Sequence, residues 1–297
     1  MNIERVLVAV DFGEEATHAA RYAVEHFAPD ADITLLHVID PPRRPVFARD
    51  HLPPEEELEA VAREYAATQM HELASFLTSA RVRTEIRVGA PHDVVALFAR
   101  EIDADLVVVG AHRDRARPAG ILGSTADRIA RTCPVPILVA IEPTSEAPGN
   151  ILVPIDDDDV AIRVAQWTRE LARRFDAQVT LLHVWSVAVY SHVSSMALVS
   201  KKTEEHARAE VERELNAAAA HWLEEIVHAG VDRDRLRAEV TWGKPGDVAV
   251  ETAARIHADL IVIGRHGKHP VASALLGSTV RSVLHGAQCP VLIVTDR

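Results

Sequence analysis

Asn150-Ile-Leu-Val-Pro-Ile-Asp156 repeats Arg5-Val-Leu-Val-Ala-Val-Asp11 at an offset of 145 residues, and Thr180-Leu-Leu-His-Val184 repeats Thr34-Leu-Leu-His-Val38 at 146. Further along, the offset settles at 154 for Gly89/Gly243, Pro91/Pro245, Asp93/Asp247, Asp105/Asp259, Gly110/Gly264, Gly123/Gly277 and Ser124/Ser278. Cys133-Pro-Val then returns as Cys289-Pro-Val at 156. An offset so nearly constant over so many positions is a tandem duplication, and each copy must bury a core of its own. Half of a 297-residue chain is an ordinary size for that. The turn-forming stretch Glu142-Pro-Thr-Ser-Glu-Ala-Pro-Gly-Asn150 reads as a linker, which predicts domains over 1–143 and 149–297.

Within each copy, short apolar runs alternate with longer helical patterns. Val6–Val10, Ile33–Val38, Val82–Val88, Leu106–Val109 and Val135–Ile141 read as strands of the first copy. Ile151–Ile155, Val179–Trp185, Leu236–Val240, Leu260–Ile263 and Val291–Thr295 read as those of the second. The runs are continuous, as expected of parallel strands covered on both faces. Helices are expected at Glu14–Phe27, Pro54–Leu77, His92–Glu101, Val160–Phe175 and Thr203–Ala229. This alternation predicts an α/β protein of two tandem doubly wound, Rossmann-like domains, each a five-stranded parallel sheet flanked by helices. Such sheets bind ligands beyond the carboxyl ends of their strands, where the strand order reverses.

The segments just after the strands are where the two copies agree best. In the second copy Gly264-Arg265-His266-Gly267 is followed, after nine residues, by Gly277-Ser278-Thr279-Val280. Glycines let a backbone turn sharply and expose N–H groups without interference from Cβ. Gly277-Ser-Thr opens a helix whose first N–H groups suit an anion such as phosphate, with the two hydroxyls as further donors. The plainer reading is a turn with a Ser/Thr helix cap.

The pattern G-x2-G-x9-G-[S/T], with an early strand ending in Asp and a later Asp-Leu-[IV]-Val-[IV]-Gly, resembles the universal stress protein family. The resemblance covers nearly the whole chain, twice. It implies a tandem member of the ATP-binding branch, acting as a nucleotide-responsive regulator. In the second copy it implies Ile155, Asp156 and Val184 on the adenine and ribose side. Gly264, Arg265, His266, Gly267, Gly277, Ser278, Thr279 and Val280 would surround the phosphates. In the first copy the corresponding residues are Val10, Asp11, Val38, Gly110, Arg113, Gly123, Ser124 and Thr125. Relatives pair the last strands of two domains, so here the two copies are expected to pair with each other.

Two departures leave alternatives open. Arg113 stands where the second glycine of the loop belongs; it either blocks close approach or offers its forked guanidinium to phosphate. Asp156-Asp157-Asp158-Asp159 either opens a solvated helix or repels a triphosphate unless a divalent cation such as Mg²⁺ intervenes. Nucleotide in both copies is the expectation, with the second copy closer to the pattern. The rival is a non-nucleotide scaffold with degenerate sites, or a slow ATPase.

The rest of the sequence excludes more than it adds. No G-x-S-x-G elbow, Walker-type loop or nucleophile–base pair is present, so efficient catalysis is not expected. Among 16 histidines none has a Cys or acidic companion at zinc-site spacing. His37 and His183, at matched strand ends, read as hydrogen-bonded structural residues. Cys133 and Cys289, the two cysteines of the chain, read as small buried residues. A net charge of −12 with no basic stretch argues against nucleic-acid binding. No apolar run approaches the ~20 residues of a membrane span, and residues 1–10 lack a leader's apolar region. A cytoplasmic location is therefore expected. Finally, apolar Trp185–Val199 in one copy against Pro-rich Asp40–Pro54 in the other is either a contact surface present once per chain, hence a homodimer, or a loop folded over its own domain.

Overall fold

A computed structural model describes residues 3–41, 53–77, 81–111, 123–141, 146–155, 160–186, 231–265 and 276–295, together with helical residues 213, 217, 224 and 227. The chain divides into two compact units, residues 2–145 and 146–296. The first carries strands β1 (Arg5–Ala9), β2 (Asp32–Ile39), β3 (Arg81–Val88), β4 (Leu106–Gly110) and β5 (Ile137–Ala140). Its helices are α1 (Glu14–Tyr22), α2 (Glu55–Phe76), α3 (Pro91–Glu101) and α4 (Ser124–Thr132). The second unit carries β6 (Asn150–Pro154), β7 (Gln178–Ser186), β8 (Leu236–Gly243), β9 (Leu260–Gly264) and β10 (Val291–Val294). Its described helices are α5 (Ala161–Phe175), α6 (Pro245–Arg255) and α7 (Ser278–Gly286). The helix expected over Thr203–Ala229 falls almost wholly outside the described residues, as do 42–52 and 187–199, on which the homodimer expectation rests.

Each unit is the doubly wound sheet that the alternation predicts. The first runs β3-β2-β1-β4-β5 and the second β8-β7-β6-β9-β10, every described pairing within a unit being parallel. The chain winds outward from β1 to β3, then crosses over to β4 on the other side of β1. The order therefore reverses between β1 and β4, and equally between β6 and β9. Central strands are apolar on both faces because helices cover both: Val6, Leu7, Val8, Leu106, Val107 and Val108 have no exposed surface. Each such side chain contributes about 1.5–3 kcal/mol by leaving water. β3 departs from the expected continuous apolar run. Its sequence Arg-Val-Arg-Thr-Glu-Ile-Arg-Val is exposed or half-buried throughout, because a strand at the end of the sheet has one flank toward water.

Two further details shape the strand ends. The helix expected over Glu14–Phe27 is α-helical only to Tyr22 and continues as a π-turn over Ala23–Phe27, with Ala28 N–H donating to Ala23 O at 2.9 Å. The matched aspartates are anchors at the amino ends of the strands. Asp105 Oδ2 accepts from Glu4 N and Arg5 N, both at 2.9 Å, and Asp259 Oδ2 accepts from Gly149 N at 3.0 Å and Asn150 N at 2.9 Å. Each clamps the entering first strand of its unit to the strand across the reversal point.

Candidate functional site

In the first unit the reversal point is built by a turn of three residues. β1 ends at Ala9; Val10 N–H donates to Leu36 O at 2.9 Å, and α1 begins after Gly13. Asp11 Oδ1 accepts the Gly13 N–H at 3.0 Å, and Phe12 takes φ +65°, the left-handed region that a bulky residue rarely enters. That conformation reverses the chain at once and leaves Asp11 exposed at the apex. The tightness has a second cause across the crevice. A Cβ on Gly110, the last residue of β4, would lie 3.0 Å from Ala16 N and from Glu15 C. A side chain there would push the first turn of α1 away from the sheet.

The second unit repeats this frame. A Cβ on Gly264, the last residue of β9, would lie 3.3 Å from Val160 Cγ1, just before α5. Ile155 N–H donates to Leu182 O at 2.9 Å, as Val10 does to Leu36. One difference shortens the ladder beside the crevice. Pro154 stands where the first unit has Ala9 and has no N–H for the ladder. The β1–β4 register runs over four pairs, from Val6↔Leu106 to Ala9↔Val109, whereas β6–β9 register covers Ile151↔Leu260 and Leu152↔Ile261.

The helices that follow β4 and β9 start alike. Gly123 (φ −56°, ψ 143°) precedes α4 and Gly277 (φ −54°, ψ 147°) precedes α7, and neither helix start has a side-chain cap. Ser124, Thr125 and Ser278 are exposed, Thr279 is half-buried and Val280 is buried beneath them. Gly277 N–H donates to Arg265 O at 3.3 Å, and Arg265 N–H donates to Val294 O at 2.9 Å, so the start of α7 hangs from the end of β9. The first turn of α4 holds Asp127, ion-paired with Arg131 at 2.8 Å; α7 has no acid in its first turn and carries Arg281 there. The first turn of α7 itself thus carries more positive charge than that of α4.

Of the expected site residues, the structure gathers Val10, Asp11, Gly110, Gly123, Ser124 and Thr125 at the strand carboxyl ends of the first unit. Ile155, Gly264, Arg265, Gly277, Ser278, Thr279 and Val280 lie at those of the second. Val38 and Val184, half-buried, lie near the ends of β2 and β7. Arg113, Asp156, His266 and Gly267 lie outside the described residues. The sequence attributes the sharp turn to Gly264 and Gly267, of which Gly267 lies outside the described residues, and reads Gly277 as the opening of a helix. Gly264 and Gly277 take no left-handed backbone; each serves close approach, since a Cβ on Gly277 would stand 3.2 Å from Arg265 O. The left-handed glycines among the described residues are Gly89 (φ +146°) and Gly243 (φ +155°), which turn β3 into α3 and β8 into α6.

The matched histidines are structural, as expected. Nδ1 of His37 donates to Val10 O at 2.9 Å and Nδ1 of His183 to Ile155 O at 3.0 Å, tying the second strand of each unit to the end of the first. Each also meets an aromatic ring, which sequence reasoning missed. Phe12 stacks on His37 with centroids 4.2 Å apart, and Trp185 meets His183 edge-on at 5.4 Å. The signal was present in the composition of the strand ends, but only packing shows that loop residue Phe12 and strand residue Trp185 serve matched histidines, His37 and His183.

Cys133 and Cys289 are buried and form no disulfide. Burial, with the negative Asp259 nearby, pushes the Cys289 thiol up to about 12 from an ordinary value of 9.0. The sign of the consequence is fixed: above about pH 9 the unfolded chain releases a proton that the folded one retains, so this contribution to stability is complete below 9 and lost as pH rises toward 12. Denaturation at several alkaline pH values should show the native protein losing about 1.4 kcal/mol per pH unit more than Cys289→Ala. Equal slopes would contradict the burial assignment. Among the described residues no cluster of His, Cys, Asp and Glu could hold a metal ion, and no helix is long and apolar enough to cross a membrane.

Comparison with known proteins agrees with this frame in both units. The model of the universal stress protein family matches residues 2–140 and again 148–295. A universal stress protein of Mycolicibacterium smegmatis is 29% identical over 301 residues, covering 98% of this chain and 97% of its own. One of Methanocaldococcus jannaschii is 32% identical over 148 residues, covering 49% of this chain and 81% of its own. Among solved structures, a universal stress protein of Archaeoglobus fulgidus superposes with a TM-score of 0.64 at 17% identity, over 100% of both chains.

Proposed function

The chain belongs to the universal stress protein family, twice over, and on that footing we propose that it binds ATP in each unit and acts as a nucleotide-responsive regulator without efficient catalysis. The observation that carries this reading is the matched pair of Gly-Ser-Thr helix starts, Gly123-Ser124-Thr125 and Gly277-Ser278-Thr279, neither with a side-chain cap among the described residues. Each stands after a strand that borders the point where its sheet reverses. Unsatisfied N–H groups at a helix start, with hydroxyls beside them, are suited to phosphate. Asp11, exposed on its tight turn, and Val38 are assigned to the adenine and ribose side of the first unit; Asp156 and Val184 are assigned to that of the second. Where Mg²⁺ accompanies the nucleotide, the phosphates supply most of its ligands and carboxylates the remainder.

Calorimetric titration of Mg-ATP into protein stripped of nucleotide tests the proposal. Two sites per chain are expected. One site would restrict the function to a single unit and make the other its structural partner. Absence of heat at millimolar ATP would overturn the reading in favour of a scaffold that engages partners without nucleotide.

A further inference from the structure

The first unit carries an aromatic group at the carboxyl ends of β1 and β2 that neither the fold nor a phosphate cradle requires. Phe12, in its left-handed conformation, lies on the His37 ring with an interplanar angle of 27°. Tyr65 of α2 meets Phe12 edge-on, centroids 6.0 Å apart and planes at 89°. His37 cannot turn away, because its Nδ1 is held by Val10 O. Tyr65, by contrast, is 61% exposed, a large ring facing water beside the exposed Asp11 turn. Strained backbone maintained by its surroundings gathers at ligand clamps. A flat ring left open to water, as that of Tyr65 is beside the half-buried Phe12 and His37, favours flat ligands, which it binds by stacking.

We propose that Phe12, His37 and Tyr65 form the wall on which a nucleotide base stacks in the first unit, so that this unit favours purine nucleotides over pyrimidine nucleotides and over bare polyphosphate. The inference rests on the nucleotide reading above and adds base selection to it. A purine offers the larger ring surface to such a wall, whereas a polyphosphate offers none. The second unit is built differently. Asp157 occupies the sequence position of Phe12, and the ring against its histidine is Trp185, where β2 has Ile39. Trp242, the register partner of Trp185 on β8, lies 6.1 Å from it. The wall is thus particular to each unit, and base preference differs between them.

All four tryptophans, Trp167, Trp185, Trp222 and Trp242, belong to the second repeat, which allows the units to be read separately in the full chain. Binding that changes tryptophan emission reports the second unit; binding heat without an emission change reports the first. Mg-ATP, Mg-CTP and Mg-tripolyphosphate are titrated into the wild type, Tyr65→Ala and Tyr65→Phe. Tyr65→Ala is expected to weaken ATP at the emission-silent site by about five- to tenfold. It should leave tripolyphosphate affinity and the emission-reported site unchanged, and Tyr65→Phe should restore ATP binding. Unchanged ATP affinity in Tyr65→Ala, or an equal loss for ATP and tripolyphosphate, would overturn the wall while leaving nucleotide binding in place. A wild type without any emission-silent ATP site would overturn both the wall and the nucleotide reading of this unit.

Discussion

Replacing Gly277 with aspartate is expected to weaken ATP binding in the second unit by about 30-fold while leaving thermal stability unchanged or slightly raised. Two unit charges about 4 Å apart repel by about 4 kcal/mol at an effective dielectric of 20. Solvent and salt reduce this by roughly half, and 1.4 kcal/mol is a factor of ten in affinity. The same carboxylate favours the helix itself. Aspartate is among the preferred residues just before a first turn, and α7 has neither a side-chain cap nor an acid in that turn. Binding and stability therefore move in opposite directions, which no general loss of structure would imitate. Gly277→Ala should cost less than tenfold, because φ −54° suits any residue and its Cβ meets Arg265 O at a tight but adjustable 3.2 Å. Calorimetry with Mg-ATP and a thermal melt of each variant check both expectations. Wild-type affinity in Gly277→Asp would remove the phosphates from the start of α7.

Gly246→Val is expected to lower the melting temperature by roughly 5–10 °C and to weaken ATP binding in the same unit. Gly246 lies in the first turn of α6, where even a Cβ would stand 2.3 Å from Ser282 Cβ and 3.2 Å from Thr279 O. One helical turn further along each helix, a Cβ on Gly286 would stand 2.8 Å from Val250 Cγ2. Two missing side chains thus allow α6 and α7 to pack almost backbone to backbone. Forcing methyl groups between them costs about 1–3 kcal/mol or more. The displacement falls on the helix whose first turn is assigned to phosphate. The first unit has His92 and Arg128 at the corresponding sequence positions, so its α3–α4 pair is not built on this contact. Thermal unfolding followed by tryptophan emission, which reports the second unit, checks the prediction; a melting temperature within about 1 °C of wild type would contradict it.

Much of the fold was legible because its cause is local or repeated. Continuous apolar runs such as Leu7–Val8 and Leu106–Val109 are satisfied between two helical layers, and the strands end within three residues of where those runs stand, β8 being the one that runs three residues further, to Gly243. Gly89 and Gly243 stood out in the sequence only as matched repeat positions; the structure supplies the reason, a positive φ after a strand that excludes most side chains. β3 was misread as a buried run because composition alone does not show which strand ends the sheet. The site was legible as a set of segments and less so as chemistry. Gly264 suggested conformational freedom, yet it takes no left-handed backbone and its value lies in what stands close by, whereas Gly277 opens its helix as read. Asp105 and Asp259 contributed to a family signature, yet they hold backbone N–H groups at the amino ends of the strands, far along β4 and β9 from the crevice.

What the sequence determined by itself was the architecture and its duplication, because periodicity, turn residues and repeat spacing act within a few residues of the chain. It also determined which segments meet at the crevice, since parallel winding delivers every strand end to the same side. The tertiary structure alone decided which neighbours each residue has there. Phe12 and Trp185 reach matched histidines from different elements, Pro154 shortens one ladder, and Gly246 admits a helix that His92 would not. Each of these depends on distances between segments remote in sequence, and no local pattern encodes such a distance.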